Sequence, residues 1–280
     1  MIAYRPMLPG DIGAGLSLCR LSGWNQLRKD WEIFLELSPR GCRVAVFEEE
    51  VIGTVTTIKY GDDFSWIGMV LVHPTYRRQG IGKHLVDQAL TILSGESNIK
   101  LDATTAGREV YLKLGFQDEY GISRMQRIGF VGGNDEHDAR EISSNDLTRI
   151  AAFDSKIFGA DRMSLLESMW TAKDEVAFVV EKDDNVQGFC MGRAGYSHAH
   201  IGPVVANDLQ TAKILLRAAL SKWNDQPVII DATQFNADWM KWLQTIGFSE
   251  QRSFIRMYKG DNSRPGEPSK QFAILGPEFG

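Results

Sequence analysis

The run VLVHPTYRRQGIGKHLVDQAL, from Val70 to Leu90, is the stretch on which the reading of this chain turns. Upstream, Trp66 to Val72 is an apolar run of strand length that stops at His73 and Pro74. Downstream, Lys83 to Leu93 carries Leu85, Val86, Leu90 and Leu93 at helical spacing. Between strand and helix lie Arg77, Arg78, Gln79, Gly80, Ile81, Gly82 and Lys83, two glycines among three cations. Glycine lets the backbone turn tightly with its N–H groups open, and a helix start adds partial positive charge. Such a turn predicts a cradle for a diphosphate. A plain helix cap with solvated basic neighbours has the same composition, so the surroundings must decide between them.

Working outward, the elements come in the order strand, two helices, three strands, helix, strand, helix, strand. Ile2 to Arg5 reads as a short strand, Asp11 to Leu21 and Asp30 to Leu37 as helices, and Cys42 to Phe47 with Val51 to Tyr60 as a hairpin about the charged turn Glu48 to Glu50. After the glycine-rich turn and its helix come a strand at Ile99 to Ala103, a helix near Glu109 to Leu114 and a strand from Gly121 to Ile128.

The same landmarks return in the same order in the second half. VAVFEEEVIG (44–53) corresponds to VVEKDDNVQG (179–188), WIGMV (66–70) to HIGPV (200–204), LDAT (101–104) to IDAT (230–233) and LGF (114–116) to IGF (246–248). Arg124-Met125 comes back as Arg256-Met257. Ordered recurrence of this kind predicts two related domains, here 1–130 and 139–280, joined by a turn-rich linker at 131–138. The second copy departs at one place. After His200 to Val204 the sequence VANDLQTAKILL has no Gly-x-Gly and a single cation, Lys213, so no diphosphate loop is expected there. The final FAILGPEFG holds a short apolar run that suits an added edge strand.

Composition bounds the function. The 280 residues are 43% hydrophobic and 24% charged, with net charge −5, and no basic block marks a nucleic-acid surface. No apolar stretch approaches the ~18 residues of a membrane span, and the start lacks an export signal, so a cytoplasmic protein is expected. Cys19, Cys42 and Cys190 form no CxxC pair, and His198 and His200, spaced for one face of a strand, show no acidic or cysteine partner in sequence; no metal site is expected.

The 70–90 run resembles the acetyl-CoA signature of the GNAT acetyltransferases, with strand, proline, R/Q-x-x-G-x-G/A loop and amphipathic helix in order. A second match supports it: Tyr111-Leu112-Lys113-Leu114-Gly115-Phe116 resembles the family's Y-x-K-x-G-F segment. The resemblance covers Ile2 to Ile128 and extends to bacterial members with a second, diverged GNAT-like domain. It implies an α/β (α+β) fold of two tandem domains, each a mixed, mostly antiparallel twisted sheet flanked by helices.

The resemblance also implies acetyl-CoA as cosubstrate, no metal, and a small-molecule or peptide amine as acceptor. Val70, Leu71 and Val72 would hold the acetyl and pantetheine groups, and Arg77 to Lys83 the diphosphate. Direct attack by the amine needs placement and exclusion of water more than a protein nucleophile. Tyr111 is the candidate acid for the leaving thiolate, against an ordinary half-buried helix tyrosine. Asp102 is a candidate base, although its recurrence as Asp231 in the half without a cradle favours a structural task. Trp24, Asn25 and Gln26, between the first two helices, are candidates for the acceptor pocket or else a surface turn. An alternative is a non-catalytic acetyl-CoA sensor or assembly module.

Overall fold

A computed structural model describes residues 1–129, 138–171, 176–223, 226–263 and 265–280. Apart from residue 138, the expected linker therefore lies outside the described residues. In the first half the elements are β1 (Ala3–Pro6), α1 (Ile12–Leu21), α2 (Arg28–Leu37), β2 (Arg43–Phe47), β3 (Glu50–Tyr60), β4 (Phe64–Val72), α3 (Ile81–Ile92), β5 (Asn98–Thr104), α4 (Thr105–Lys113) and β6 (Gln117–Arg127). The expected order holds. The ends shift by up to four residues, because caps and cross-strand partners extend elements past their apolar cores: α4 begins early, where the Thr104 hydroxyl accepts a hydrogen bond from the Gly107 amide at 3.2 Å.

The second half repeats the plan with β7 (Arg140–Glu141), α5 (Leu147–Phe158), α6 (Met163–Trp170), β8 (Val176–Lys182), β9 (Asn185–Arg193), β10 (Ala199–Ala206), α7 (Leu209–Lys222), β11 (Val228–Thr233), α8 (Ala237–Thr245) and β12 (Ser249–Gly260). A last strand, β13 (Gln271–Ala273), follows. Among the described residues no helix is long and apolar enough to cross a membrane.

All the strands join one sheet, in the order β1-β2-β3-β4-β5-β12-β6-β11-β13-β10-β9-β8-β7. Adjacent strands are antiparallel except where β4 meets β5 and β10 meets β11. The two halves exchange their last strands: β12 lies between β5 and β6, and β6 between β12 and β11. The boundary between the halves in sequence is thus not a boundary in the sheet.

The exchange gives the repeated Asp and Arg residues a joint purpose. Arg256 on β12 grips Asp102 on β5 through two hydrogen bonds of 2.9 Å, and Arg124 on β6 grips Asp231 on β11 through two of 2.7 Å. Each pair is crossed between halves and buried. Removing one partner of such a pair costs ~3–5 kcal/mol, because the other charge is left in a dry interior. His200 Nε2 lies 3.0 Å from Asp231 Oδ2, so the histidine does have an acidic partner; it was hidden in sequence because the two meet only across β10 and β11.

One face of the first half is closed by α3, whose Ile81, Leu85, Val86 and Ala89 pack on Ile52, Val55, Ile67 and Leu101. The other face carries a core common to both halves, including Trp31 and Phe34 of α2, Trp66 and Met69 of β4, Phe158, Phe189 and Phe279. A separate core lies under α7 and α8. β13 is not an edge strand. It enters the interior of the sheet, where Ala273 pairs with both Val204 of β10 and Ala232 of β11.

Candidate active site

β4 and β5 pair only at Ser65 with Ile99 and Trp66 with Lys100, after which the strands diverge. From Ile67 to Val72 the β5 side of β4 therefore has no strand partner among the described residues. A bulge re-aims this stretch: Thr54 pairs with Leu71 and Thr56 with Gly68, so Met69 and Val70 together face Val55. Met69 sits in the left-handed region at φ 50°, and the Thr54 hydroxyl donates to its carbonyl at 2.8 Å. Backbone strain of this kind is held at functional sites when the surroundings over-determine it.

Where the two strands part lies a cleft of about 580 Å³. It is lined by Val70, Leu71, Val72, Arg77, Gly82 and Lys83 and, from β5 and α4, by Leu101, Asp102, Thr104, Gly107 and Tyr111. At its mouth α3 begins. Gly80 precedes it at φ 81°, and the first helical bond to the turn is from the His84 amide to the Gly80 carbonyl at 2.9 Å. The amides of Arg78, Gln79, Gly80, Ile81, Gly82 and Lys83 donate to no acceptor among the described residues. Six successive open donors at a helix start are a site for a multiply charged anion.

The three cations there are not equivalent. Arg77 donates to the Val72 carbonyl at 3.0 Å and to the Ser22 hydroxyl at 3.2 Å, Lys83 pairs with Asp87 at 2.8 Å, and Arg78 makes no ion pair among the described residues. A Cβ built on Gly80 would meet nothing within 4 Å, and one on Gly82 only Val72 at 3.4 Å, so the space over the turn is free.

Tyr111 projects from α4 into the cleft, against Phe116, with no hydrogen-bond partner for its hydroxyl among the described residues. Burial pushes the phenol up to about 12, so it holds its proton at neutral pH. Asp102 also lines the cleft. Burial pushes its carboxyl up against the opposing pull of Arg256, but both oxygens already accept from that guanidinium.

Trp24 and Gln26 also line the cleft. Gln26 is 6% exposed, and its Oε1 has no hydrogen-bond partner among the described residues. Asn25 is not part of that lining. Its Nδ2 donates to the His198 carbonyl at 2.9 Å and its Oδ1 accepts from the Ser197 and His198 amides, so it ties the α1–α2 loop to the second half.

Several lining residues have no signal in the local sequence: Arg124, Arg252, Phe254, Pro277 and Glu278. They reach the cleft through the strand exchange and through the 271–280 segment, which a reading of each half by itself cannot see. Arg252 forms no ion pair among the described residues, and burial followed by the nearby Arg124 charge lowers its pKa. The segment is strongly held. Arg193 donates to the Leu275 carbonyl at 2.8 Å and to Glu278 Oε1 at 2.5 Å, Trp66 to the Pro277 carbonyl at 3.1 Å, Tyr60 to the Phe279 carbonyl at 2.6 Å, and Arg162 to the Gly280 carbonyl at 2.9 Å.

The corresponding place in the second half looks different. β10 and β11 pair at Ala199 to Ile201 and then part, but β13 fills the gap. A Cβ on Gly202 would fall 2.1 Å from the Ile274 carbonyl oxygen. The start of α7 is capped by Asp208, whose carboxylate accepts from the Thr211 amide at 2.9 Å. An anion is thus already built in where the first half leaves its donors open.

Among the described residues no group of three or more His, Cys, Asp or Glu side chains could hold a metal ion. The three cysteines are free and buried. Burial pushes their thiols up to about 12, which keeps them protonated and unreactive.

Comparison with known proteins agrees with this geometry in both halves. The acetyltransferase (GNAT) family profile matches residues 16–116, and an acetyltransferase (GNAT) domain profile matches 150–273. A holothin acyltransferase from Pseudoalteromonas sp. (strain SANK 73390) is 27% identical over 258 residues, 92% of this chain and 87% of that one. The uncharacterized N-acetyltransferase YitH of Bacillus subtilis (strain 168) is 26% identical over 239 residues, 83% of each chain. The crystal structure of a putative acetyltransferase from Pyrococcus horikoshii superposes with a TM-score of 0.84 at 26% identity, covering 100% of this chain and 96% of that one. The open splay beside a donor-rich helix start, and its altered copy in the second half, thus have their explanation in descent: the chain belongs to the GNAT acetyltransferase family and carries two such domains in tandem.

Proposed function

We propose that the cleft between β4 and β5 binds acetyl-CoA and that the acetyl group passes directly to an amine entering from the Trp24 and Gln26 end. The observation that carries this reading is the run of six unpaired amides from Arg78 to Lys83 at the start of α3. They match a diphosphate in charge and in number of acceptors, and Arg78 adds a full charge without an ion-pair partner among the described residues. The pantetheine arm would follow the unpaired edge of β4, completing on one side the ladder that β5 leaves.

In this reading the acceptor nitrogen attacks the thioester carbon and the oxyanion is met by β4 amides around the Met69–Val70 bulge. The C–S bond then breaks. Tyr111, which holds its proton at neutral pH, gives it to the departing sulfur and recovers one from the new amide nitrogen. Asp102, with both oxygens bound by Arg256, supports the β5–β12 junction in preference to moving protons.

The second half is not the cofactor half in this account, since β13 and Asp208 occupy the places that chain and phosphate would need. It completes the cleft. Calorimetric titration with CoA, followed by release of free CoA from acetyl-CoA in the presence of amines, tests the proposal. Saturable binding and amine-dependent release are expected. Binding without release for any amine supplied would favour a sensor.

A further inference from the structure

Among the residues lining the cleft is a glutamate, Glu278, from the segment whose purpose sequence leaves open. Glu278 lines the cleft yet is only 3% exposed. Arg193 donates to its Oε1, and its Oε2 accepts no hydrogen bond among the described residues. The backbone of Glu278 rests on β4: a Cβ on Gly68 would fall 2.5 Å from the Glu278 carbonyl oxygen. Gly68 immediately precedes the Met69–Val70 bulge, so Glu278 stands at the root of the splay, where the thioester carbon would lie. Asp102 is the other acidic residue lining the cleft, and Arg256 occupies it.

Two further observations point to a cationic ligand there. Arg193 is shared between two carboxylates, Glu278 at 2.5 Å and Asp30 at 3.0 Å, so this buried cluster holds two acids around one guanidinium. Burial raises the pKa of Asp30 against the opposing pull of Arg193, and the nearby Glu278 adds a smaller push upward. The same Asp30 accepts from the Leu27 amide at 2.7 Å and so fixes the loop that presents Gln26. Gln26, nine-tenths buried, lines the same cleft, and its Oε1 has no hydrogen-bond partner among the described residues. A buried carbonyl without a donor is costly unless a ligand supplies one.

We propose that Glu278 and Gln26 form the subsite that receives a primary ammonium, and that Glu278 is the base which removes its proton before attack. This rests on the reading of the cleft as an acyl-CoA site. An alkylammonium has no lone pair. Glu278 Oε2 takes one proton, and the freed amine forms the C–N bond while Gln26 Oε1 accepts one of its remaining N–H groups. The second proton lost by nitrogen passes through Tyr111 to the sulfur as the C–S bond breaks. The proton on Glu278 leaves to solvent when the cleft opens, which balances one amine proton lost to water and one to the thiol.

The test is a comparison of two small acceptors at neutral pH with saturating acetyl-CoA, reading release of free CoA. Ethylamine arrives protonated and needs a base, whereas methoxyamine arrives neutral and does not. Glu278→Gln is expected to lower kcat/KM for ethylamine by about 10²-fold or more, within the range for general bases, and for methoxyamine by less than about threefold. CoA affinity should not change. Formate added to Glu278→Ala should restore part of the ethylamine rate, and Gln26→Ala should raise KM more than it lowers kcat. Equal losses with both acceptors, no loss with either, or a wild-type enzyme that accelerates neither would overturn the proposal. If Glu278→Gln fails to fold, Glu278→Asp with the same pair of acceptors gives the same discrimination. Absence of CoA binding by the wild type would instead remove the acyl-CoA reading on which this one stands.

Discussion

Replacing Gly80 by valine separates the proposed phosphate cradle from every other feature of the fold. Gly80 is at φ 81°, and a Cβ there meets no atom within 4 Å. The substitution therefore creates no internal clash, and its folded-state cost is the left-handed backbone itself, ~1–2 kcal/mol. At ~2–4 °C per kcal/mol for a domain of this size, the melting temperature should fall by roughly 2–8 °C. The side chain meanwhile projects into the space over the open amides. If it denies a diphosphate two of them, at ~1.5 kcal/mol for each charge-assisted hydrogen bond, about 3 kcal/mol of binding is lost, or roughly 150-fold in Kd. Gly95, beyond α3, has the same free space and no left-handed φ, so Gly95→Val is the matched control. Calorimetry with CoA on the wild type and both variants reads the difference. A Gly80→Val protein that binds CoA within threefold of wild type would refute the cradle.

Tyr111→Phe should slow turnover by about 10²-fold while leaving CoA affinity unchanged, and an unaltered kcat would take the phenol out of the mechanism. Because burial raises this group to about 12, its acid form persists below that pH and is lost only above it. Between about pH 7 and 10 the kcat profile should therefore show no limb that Tyr111→Phe removes. Arg256→Met leaves Asp102 buried without its partner and should cost ~3–5 kcal/mol in urea unfolding; the Asp102→Asn, Arg256→Met double variant should regain part of that. Burial lowers the pKa of His200, so below the unfolded value of about 6.5 the unfolded chain takes up a proton that the folded one resists, and stability falls with pH. Asp231 acts later: Arg124 and His200 outweigh the effect of burial and hold its carboxyl below the usual range, so its contribution is present above about pH 4 and is lost beneath it. Melting temperature should accordingly decline from about pH 8 to 5, and His200→Gln should flatten that decline.

What was legible in the sequence was local. The glycine turn, the periodic helix after it, the order of elements and the repeat all depend on residues adjacent in the chain or on motifs that recur intact. Trp24 and Gln26 line the cleft, but Asn25 does not, because its partners Ser197 and His198 lie far along the chain. The strand exchange could not be read. β6 and β12 carry the same Arg-Met pair, and β5 and β11 the same aspartate, so within-half pairing and crossed pairing bury identical groups. A pattern that satisfies two topologies equally does not choose between them. Register is specified by which face is apolar, and the choice of neighbouring strand is not.

The repeated glycines show how one chain made two different sites from the same frame. Gly68 and Gly202 occupy equivalent positions in WIGMV and HIGPV, and the backbone of the 271–280 segment lies against both, at Glu278 and at Ile274. A side chain at either position would collide with that backbone, so both glycines answer to close approach rather than to turn geometry. The difference lies in what the segment does at each crossing. Over Gly202 it pairs with both parting strands as β13, supplies the missing ladder, and leaves no edge for a ligand. Over Gly68 it makes no such ladder: it is held by side chains, Arg193, Trp66 and Tyr60, and leaves the unpaired edge of β4 open. Closing the second splay fixes one end of the segment, and the Arg193, Trp66, Tyr60 and Arg162 side chains fix the end that carries Glu278 to the first. If Glu278 is the proposed base, the second half contributes to the chemistry, and weakening β13 should lower turnover while leaving CoA affinity unchanged.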